Sequence, residues 1–295
     1  MSNSSILLVG LPETGKTNYL ARLWASLREG KSAVKSTVAP QSIRYVEEAL
    51  AHLLQGEFAG RTNLDFEDES GTFRVPVTMS ATGAQADLVV PDVNGELWRK
   101  AVEDSEISQR WFDQMNDAPM AMIFVRALSP LNHMPLDWVV SERIIELLQR
   151  QNKGELTEGE TLSQADQEAA NKIPTQVYLC QLLRFLETTP RAPGEKKRIA
   201  ILVTAWDGLD PQRRAEGPSR YLELEFPLFF GMLKSCAGLH IEVFAVTIVG
   251  GDLTTDEVFK KKFVESSEVY DSGYVMQGTT EHKDITLPLA WLLDS

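Results

Sequence analysis

Between positions 10 and 17 the chain reads Gly-Leu-Pro-Glu-Thr-Gly-Lys-Thr. The apolar run Ser5-Ile6-Leu7-Leu8-Val9 precedes it, and Leu20, Leu23, Trp24 and Leu27 follow at helical spacing. A strand, a glycine-bounded loop and a helix in this order give G-x-x-x-x-G-K-[ST] its physical content. Backbone N–H groups of such a loop converge on a polyanion, and a helix beginning near Lys16 points its positive end at the same place. Gly10 and Gly15 permit a sharp turn and a close approach of backbone to ligand. Pro12, Glu13 and Thr14 complete the cradle. Lys16 would reach the β- and γ-phosphates of a nucleotide, and the Thr17 hydroxyl would ligate Mg²⁺.

A chain that holds a nucleotide through loop geometry need not be basic, and this one is not. Its 295 residues carry a net charge of −13. That balance argues against nucleic acid or an anionic membrane surface as the main partner, because phosphate-backbone contacts need a basic face. At 43% hydrophobic residues the chain has ample material for a core. Cys180 and Cys236, the only cysteines, outline no disulfide framework and point to a reducing, cytoplasmic setting. Met1 to Ser5 lack a basic leader region, so the first apolar stretch is expected to be a core strand rather than a signal peptide. No apolar run is long enough for a transmembrane segment.

Downstream of the first helix, Ile43, Val46, Leu50, Leu53 and Leu54 predict an amphipathic helix that stops at Gln55-Gly56. Phe66 and the run Phe73 to Met79 alternate as a hairpin, with Glu69 to Thr72 as its turn. Ala86 to Val90 is a strand that delivers Pro91-Asp92-Val93-Asn94-Gly95-Glu96, and a helix is expected from Leu97 to Gln114. Met120 to Val125 is a buried strand by composition. Residues 128–174 read as an insertion. Trp138, Val139, Ile144, Ile145, Leu147 and Leu148 suggest a helix there, and the acidic stretch 149–169 reads as a solvated, mobile loop. Helical periodicity returns from Thr175 to Glu187. Lys196-Lys197-Arg198 reads as a solvated entry to the strand Ile199 to Val203, which delivers Thr204-Ala205-Trp206-Asp207. A helix over Tyr221 to Leu233, a last strand over Ile241 to Val249 and a short final helix near Pro288 complete the pattern. Alternating strands and helices predict an α/β fold: a mostly parallel central sheet with helices on both faces. Ligands of such sheets sit beyond the carboxyl ends of the strands, so the segments after Val9, Val90, Val203 and Val249 would share one rim.

Two further motifs sit on that rim. Asp92-x-x-Gly95 places a carboxylate opposite the phosphate loop, where a Mg²⁺ partner is needed, and Gly95 leaves a backbone N–H free to approach the γ-phosphate. Asp207 could accept two hydrogen bonds from the N1–H and N2–H₂ edge of guanine, a donor pair that adenine lacks. The alternative for Asp207 is a helix N-cap or turn residue. His52, His133, His240 and His282 have no metal-ligand spacing, and no G-x-S-x-G nucleophile is present.

Gly10–Thr17, Asp92–Gly95 and Thr204–Asp207, each at a strand end, together resemble the first, third and fourth signature boxes of Ras-like GTPases of the translation-factor-related class. The Pro91 to Trp98 segment, the Val246 to Gly251 segment and the terminal Leu287 to Leu293 resemble the double-GTPase domains of bacterial conflict and signalling systems. The resemblance implies a Ras-like P-loop fold over residues 1–295 as one domain, with Mg²⁺ and GTP or GDP as ligands. It further implies Lys16 as a catalytic group and a water-positioning role for Glu96, where the family usually has Gln; slow intrinsic hydrolysis is the expectation. Thr62, or alternatively Thr72, would be the switch threonine that meets the metal. Arg61 would be either an internal arginine finger or an exposed loop arginine. Thr204 and Ala205 stand where the family usually has Asn and Lys. Trp206 would either present an aromatic surface to the base or point into the core. Thr247 and Ile248 would bring backbone N–H groups to the base oxygen.

The expected function is a GTP-binding switch that controls a protein partner: an effector, a companion GTPase or a regulator, with oligomerisation open. The alternatives are an ATP-dependent phosphotransferase, for which Arg213, Arg214 and Arg220 would be the lid, and a nucleotide-binding scaffold that hydrolyses nothing.

Overall fold

The computed structural model describes residues 4–36, 44–59, 73–90, 96–104, 106–129, 132, 173–189, 196–265 and 272–294. The first strand, β1 (Ser4–Gly10), explains the architecture around it. Ile6 and Leu8 project into one apolar cluster, while Leu7 and Val9 project into another. A strand with four consecutive apolar residues, Ile6 to Val9, must be covered on both faces, and here it is. Helix α1 (Lys16–Glu29), helix α2 (Arg44–Leu54) and the final helix Leu287–Leu293 cover one face. Helices α3 (Glu96–Glu103) and α4 (Gln109–Asp117), the helix Thr175–Thr188 and the pair Pro218–Glu225 and Pro227–Ser235 cover the other.

The described strands form a nine-stranded sheet in the order β2-β3-β4-β1-β5-β6-β7-β8-β9. The members after β1 are β2 (Val34–Lys35), β3 (Phe73–Met79), β4 (Gln85–Val90), β5 (Met120–Arg126), β6 (Lys197–Thr204), β7 (Leu239–Thr247), β8 (Tyr274–Gln277) and β9 (Thr280–His282). The sheet is mixed, which corrects the expectation of a mostly parallel one. The centre, β4-β1-β5-β6-β7, is parallel throughout. Both margins are antiparallel, β2-β3-β4 on one side and β7-β8-β9 on the other. Residues 80–84 join β3 to β4, and Gly278-Thr279 join β8 to β9. Connections this short make hairpins, whereas parallel pairs need long crossovers.

Several elements differ from the sequence expectation for local reasons. The helix expected over Leu97–Gln114 is two helices, because Ser108 adopts extended backbone and its side chain caps α4 by accepting from the Trp111 N–H. The rings of Trp98 and Trp111 still meet across the break, 4.1 Å apart. The helix expected over Tyr221–Leu233 is also two, because Pro227 drives Phe226 out of helical backbone (φ −130°, ψ 53°). The strand expected to be last ends at Thr247 and is followed by the helix Glu257–Glu265 and the β8–β9 hairpin. The entry to β6 is not solvated at Lys197 and Arg198. Lys197 is buried and its ammonium donates to the Met115 carbonyl, while Arg198 lies 4.4 Å above the Trp291 ring. The expected partner strand around Phe66, the turn at 69–72 and most of the 128–174 insertion lie outside the described residues. No helix among the described residues is long and apolar enough to cross a membrane.

Trp98 is 1% exposed and anchors α3 through Trp111. Trp98→Ala is therefore expected to cost about 3–5 kcal/mol, and Ser108→Ala only about 1 kcal/mol. Urea unfolding of the two variants beside wild type measures both.

Candidate nucleotide site

The carboxyl ends of the parallel strands converge on a cleft of about 740 Å³. Its floor is the segment Pro12–Tyr19, which follows β1. Its walls are the segments that follow β5 (Arg126 to Leu128), β6 (Thr204, Ala205, Asp207, Gly208) and β7 (Ile248, Gly251, Asp252, Thr254). The loop after β4, residues 91–95, lies outside the described residues.

The loop geometry is that of an anion cradle. Gly15 occupies the N-cap of α1 in left-handed backbone (φ 85°, ψ 8°) and no side chain caps the helix. The helix therefore presents its first N–H groups and its dipole to the cleft rather than to a capping oxygen. Gly10 is packed so closely that a Cβ there would lie 3.0 Å from both the Phe124 Cβ and the Thr14 Oγ1. Lys16 is 3% exposed, and its ammonium donates to the carbonyls of Gly10 at 2.6 Å and Leu11 at 2.8 Å. The Thr14 hydroxyl donates to the Leu11 carbonyl at 2.8 Å and closes the turn. From the neighbouring strand, an Arg126 guanidinium nitrogen donates to the Glu13 carbonyl at 3.2 Å.

The β6 end is fastened to this loop. Thr204 is buried, and its hydroxyl donates to the Thr14 carbonyl at 2.7 Å. Ala205 then takes left-handed backbone (φ 54°, ψ 37°) and starts a single 3₁₀ turn, Trp206–Gly208. Asp207 emerges from that turn into the cleft. Burial raises its pKa above the ordinary aspartate range. Hydrogen bonds from the Thr247 hydroxyl and from the backbone N–H groups of Asp207 and Gly251, together with the charge of Arg214, oppose the rise. Thr247 is itself fixed, because its hydroxyl oxygen accepts from the Gly250 N–H at 2.9 Å.

Not every expected ligand contact meets the cleft. The Trp206 ring is fully buried in the core, donates from Nε1 to the Met276 sulfur and stands edge-on to Tyr221. This corrects its assignment as a base contact: in the 3₁₀ turn the indole and the Asp207 carboxylate leave the chain in different directions. Gly10, Pro12, Glu13, Thr14, Gly15, Lys16, Thr17, Thr204, Asp207, Thr247 and Ile248 gather in or directly beneath the cleft. Arg61, Thr62, Thr72, Asp92 and Gly95 lie outside the described residues, and Glu96 is placed only as the first residue of α3.

Sequence reasoning missed the Phe58, Arg126–Leu128, Asp252 and Thr254 contributions to the lining. The usable signal for the second was the buried strand Met120–Val125, whose carboxyl end had to reach the same rim. Of the arginines proposed as a kinase lid, Arg213 pairs with Glu225 at 2.7 Å and Arg220 with Glu223 at 2.6 Å, while Arg214 donates to the Tyr274 hydroxyl at 3.4 Å and its charge acts on Asp207. Among the described residues no group of three or more His, Cys, Asp or Glu side chains forms a metal site.

A mixed α/β sheet with a glycine-bounded anion loop at the end of its central strand, and a partly buried carboxylate on the opposite wall, defines a class of nucleotide-site architecture. The chain belongs to the Double-GTPase 1 family, whose model matches residues 7–292. Membership supports a GTP-binding function. No curated protein matches the chain. Among solved structures it is similar to one from the signal recognition particle receptor SRb-GTP/SRX complex of Chaetomium thermophilum. The identity is 13% and the TM-score 0.36, over 91% of this chain and 99% of that one.

Thr204→Val keeps the shape of the side chain but leaves the buried Thr14 carbonyl without its donor. The substitution is expected to lower stability by about 1–2 kcal/mol, read from the urea midpoint, with the unfolding slope unchanged.

Proposed function

We propose that the protein is a Mg²⁺-dependent GTP-binding switch that hydrolyses GTP slowly, cleaving it with water to GDP and phosphate. The observation that carries this reading is a single cleft that brings together an uncapped helix N-terminus and a partly buried carboxylate. The first suits a triphosphate, and the second suits the N1–H and N2–H₂ edge of guanine.

In this reading the N–H groups from Glu13 to Thr17 receive the β- and γ-phosphates, and Lys16 exchanges its carbonyl partners for phosphate oxygens. Thr204 holds the loop in register, Asp207 accepts from the base, and Thr247 keeps the Asp207 carboxylate turned toward it. Thr17, in the cleft beside Lys16, supplies a hydroxyl of the kind Mg²⁺ takes, and nucleotide phosphates complete such a shell more often than an all-protein cage does. Asp92 and Thr62 are the further proposed ligands. A cation held by these residues would supply charge neutralisation to the nucleotide phosphates. Glu96 would orient the attacking water, and a carboxylate in that role repels the γ-phosphate, which favours slow turnover. Arg61 is proposed as a cation toward the same phosphate. The whole chain acts as one GTPase-like domain, with 128–174 as its insertion. Its output is control of a protein partner in a bacterial signalling or conflict system, a role that suits its acidic surface.

Equilibrium titration with GTP, ATP and XTP in the presence of Mg²⁺ tests the base assignment. Wild type is expected to prefer GTP. Asp207→Asn should lose GTP affinity by about 10²-fold and gain for XTP, since one charge-assisted donor–acceptor pair is worth that much. Equal binding of ATP, unmoved by the substitution, would reduce Asp207 to a turn residue.

The raised pKa of Asp207 adds a pH signature. Guanine needs the ionised carboxylate, so affinity is full above that raised pKa and is lost as pH falls through it. The loss is expected to begin above the ordinary aspartate range, and Asp207→Asn should abolish that step in a pH series of GDP titrations.

A further inference from the structure

Leu128 breaks two rules at once. It is a leucine in left-handed backbone, φ 55°, and a large apolar side chain left 48% exposed. Left-handed backbone is costly for a residue with a Cβ, and exposure returns nothing to offset it. Such a conformation persists only where its surroundings over-determine it. Here they do: the Ala127 N–H donates to the Thr204 carbonyl at 3.0 Å, and the Leu128 N–H donates to the Tyr221 hydroxyl at 3.3 Å. Tyr221 is buried and held edge-on against the fully buried Trp206, with ring centroids 5.6 Å apart. The core thus grips the turn that projects Leu128 into the cleft.

The position of the side chain gives the cost a purpose. The Leu128 Cδ1 lies 3.6 Å from where a Cβ on Gly208 would stand, next to Asp207 in sequence. Ala205 offers only a methyl group to this end of the cleft. A purine hydrogen-bonded edge-on to Asp207 would need an apolar surface against its ring face, and Leu128 is the long apolar side chain that reaches over Gly208. We propose that Leu128 is the wall against which the purine ring packs. The residue comes from the end of β5, outside the three signature segments. The inference rests on the nucleotide reading above, since it assigns a base face to the same cleft.

Calorimetric titration of the full chain tests it with three probes: GDP, ADP and inorganic tripolyphosphate. Leu128→Gly removes the side chain and the backbone strain together, and Leu128→Met keeps an apolar reach. Leu128→Gly is expected to weaken GDP about tenfold, the value of losing most of one leucine contact. Tripolyphosphate binding and the melting temperature should not fall, and Leu128→Met should stay within about twofold of wild type. Wild-type affinity for GDP in Leu128→Gly overturns the proposal, as does an equal loss of GDP and tripolyphosphate. If wild type binds ADP as tightly as GDP, the guanine assignment fails. A tenfold loss of ADP in Leu128→Gly would still support the wall, because an apolar face serves either purine. Binding of neither nucleotide by wild type overturns both.

Discussion

The hydroxyl of Thr204 donating to the carbonyl of Thr14 is the bond on which the cleft depends. It joins the end of β6 to the loop after β1, two strands separated in the sheet by β5. Without that tie the loop and the Asp207 turn would be set by independent segments, and their relative position would drift by the amplitude of loop motion. With it, the anion cradle and the carboxylate belong to one rigid assembly. Gly15 is part of the same contact: a Cβ there would approach the Thr204 hydroxyl to 3.4 Å in a backbone conformation already strained for any L side chain. The loop glycine and the strand-end threonine therefore act together, one by leaving space and the other by filling its edge.

Strain is concentrated where this assembly faces the cleft. Among the described residues three that are not glycine have positive φ: Glu13, Leu128 and Ala205. All three line the cleft, on the segments after β1, β5 and β6. Each turn is locked from behind, by the Arg126 guanidinium on the Glu13 carbonyl, by Tyr221 on the Leu128 N–H, and by the 3₁₀ turn whose Trp206 is sunk in the core. Trp206 thus has a role in the site without touching a ligand. Its burial fixes the turn that aims Asp207 outward, and it supports the tyrosine that holds Leu128.

The turn after β1 was legible because glycines at fixed spacing between an apolar run and a helical pattern dictate a strand, a tight turn and a helix. At Gly10 a Cβ would crowd Phe124 and Thr14, and Gly15 sits in left-handed backbone, so neither glycine exchanges freely. The two-sided core was legible for the same kind of reason, since Ile6 to Val9 and Ile199 to Val203 have no polar position to turn toward water. The edges were not. Whether β3 pairs antiparallel with β4 depends on a short connection, and β8 is four residues whose pattern is too brief to separate from a loop. The walls of the cleft were legible only in part. The sign of φ at Leu128 comes from a tertiary bond to Tyr221, ninety-three positions away, and no local pattern encodes it. The direction of Trp206 was open for a similar reason: a residue in a turn at a strand end can face either way until the turn type is known.

A protein with net charge −13 that holds a polyanion, as proposed here, would have to separate its long-range field from its local one. Screening at physiological salt confines exposed surface charges to about 8 Å, so distant carboxylates weigh little inside the cleft. What decides binding there is the set of groups already stripped of water. Lys16 is nearly fully buried, and its ammonium rests on two backbone carbonyls. Folding has therefore borne most of its desolvation cost before any ligand arrives. In the proposed reading, exchanging these neutral carbonyls for charged phosphate oxygens would strengthen each hydrogen bond without a second dehydration step. The same reasoning applies with opposite sign to Asp207, whose burial disfavours its charged form until a donor pair meets it. The two ends of the cleft thus hold opposite charges, each partly desolvated, and a nucleotide carries the complement of both.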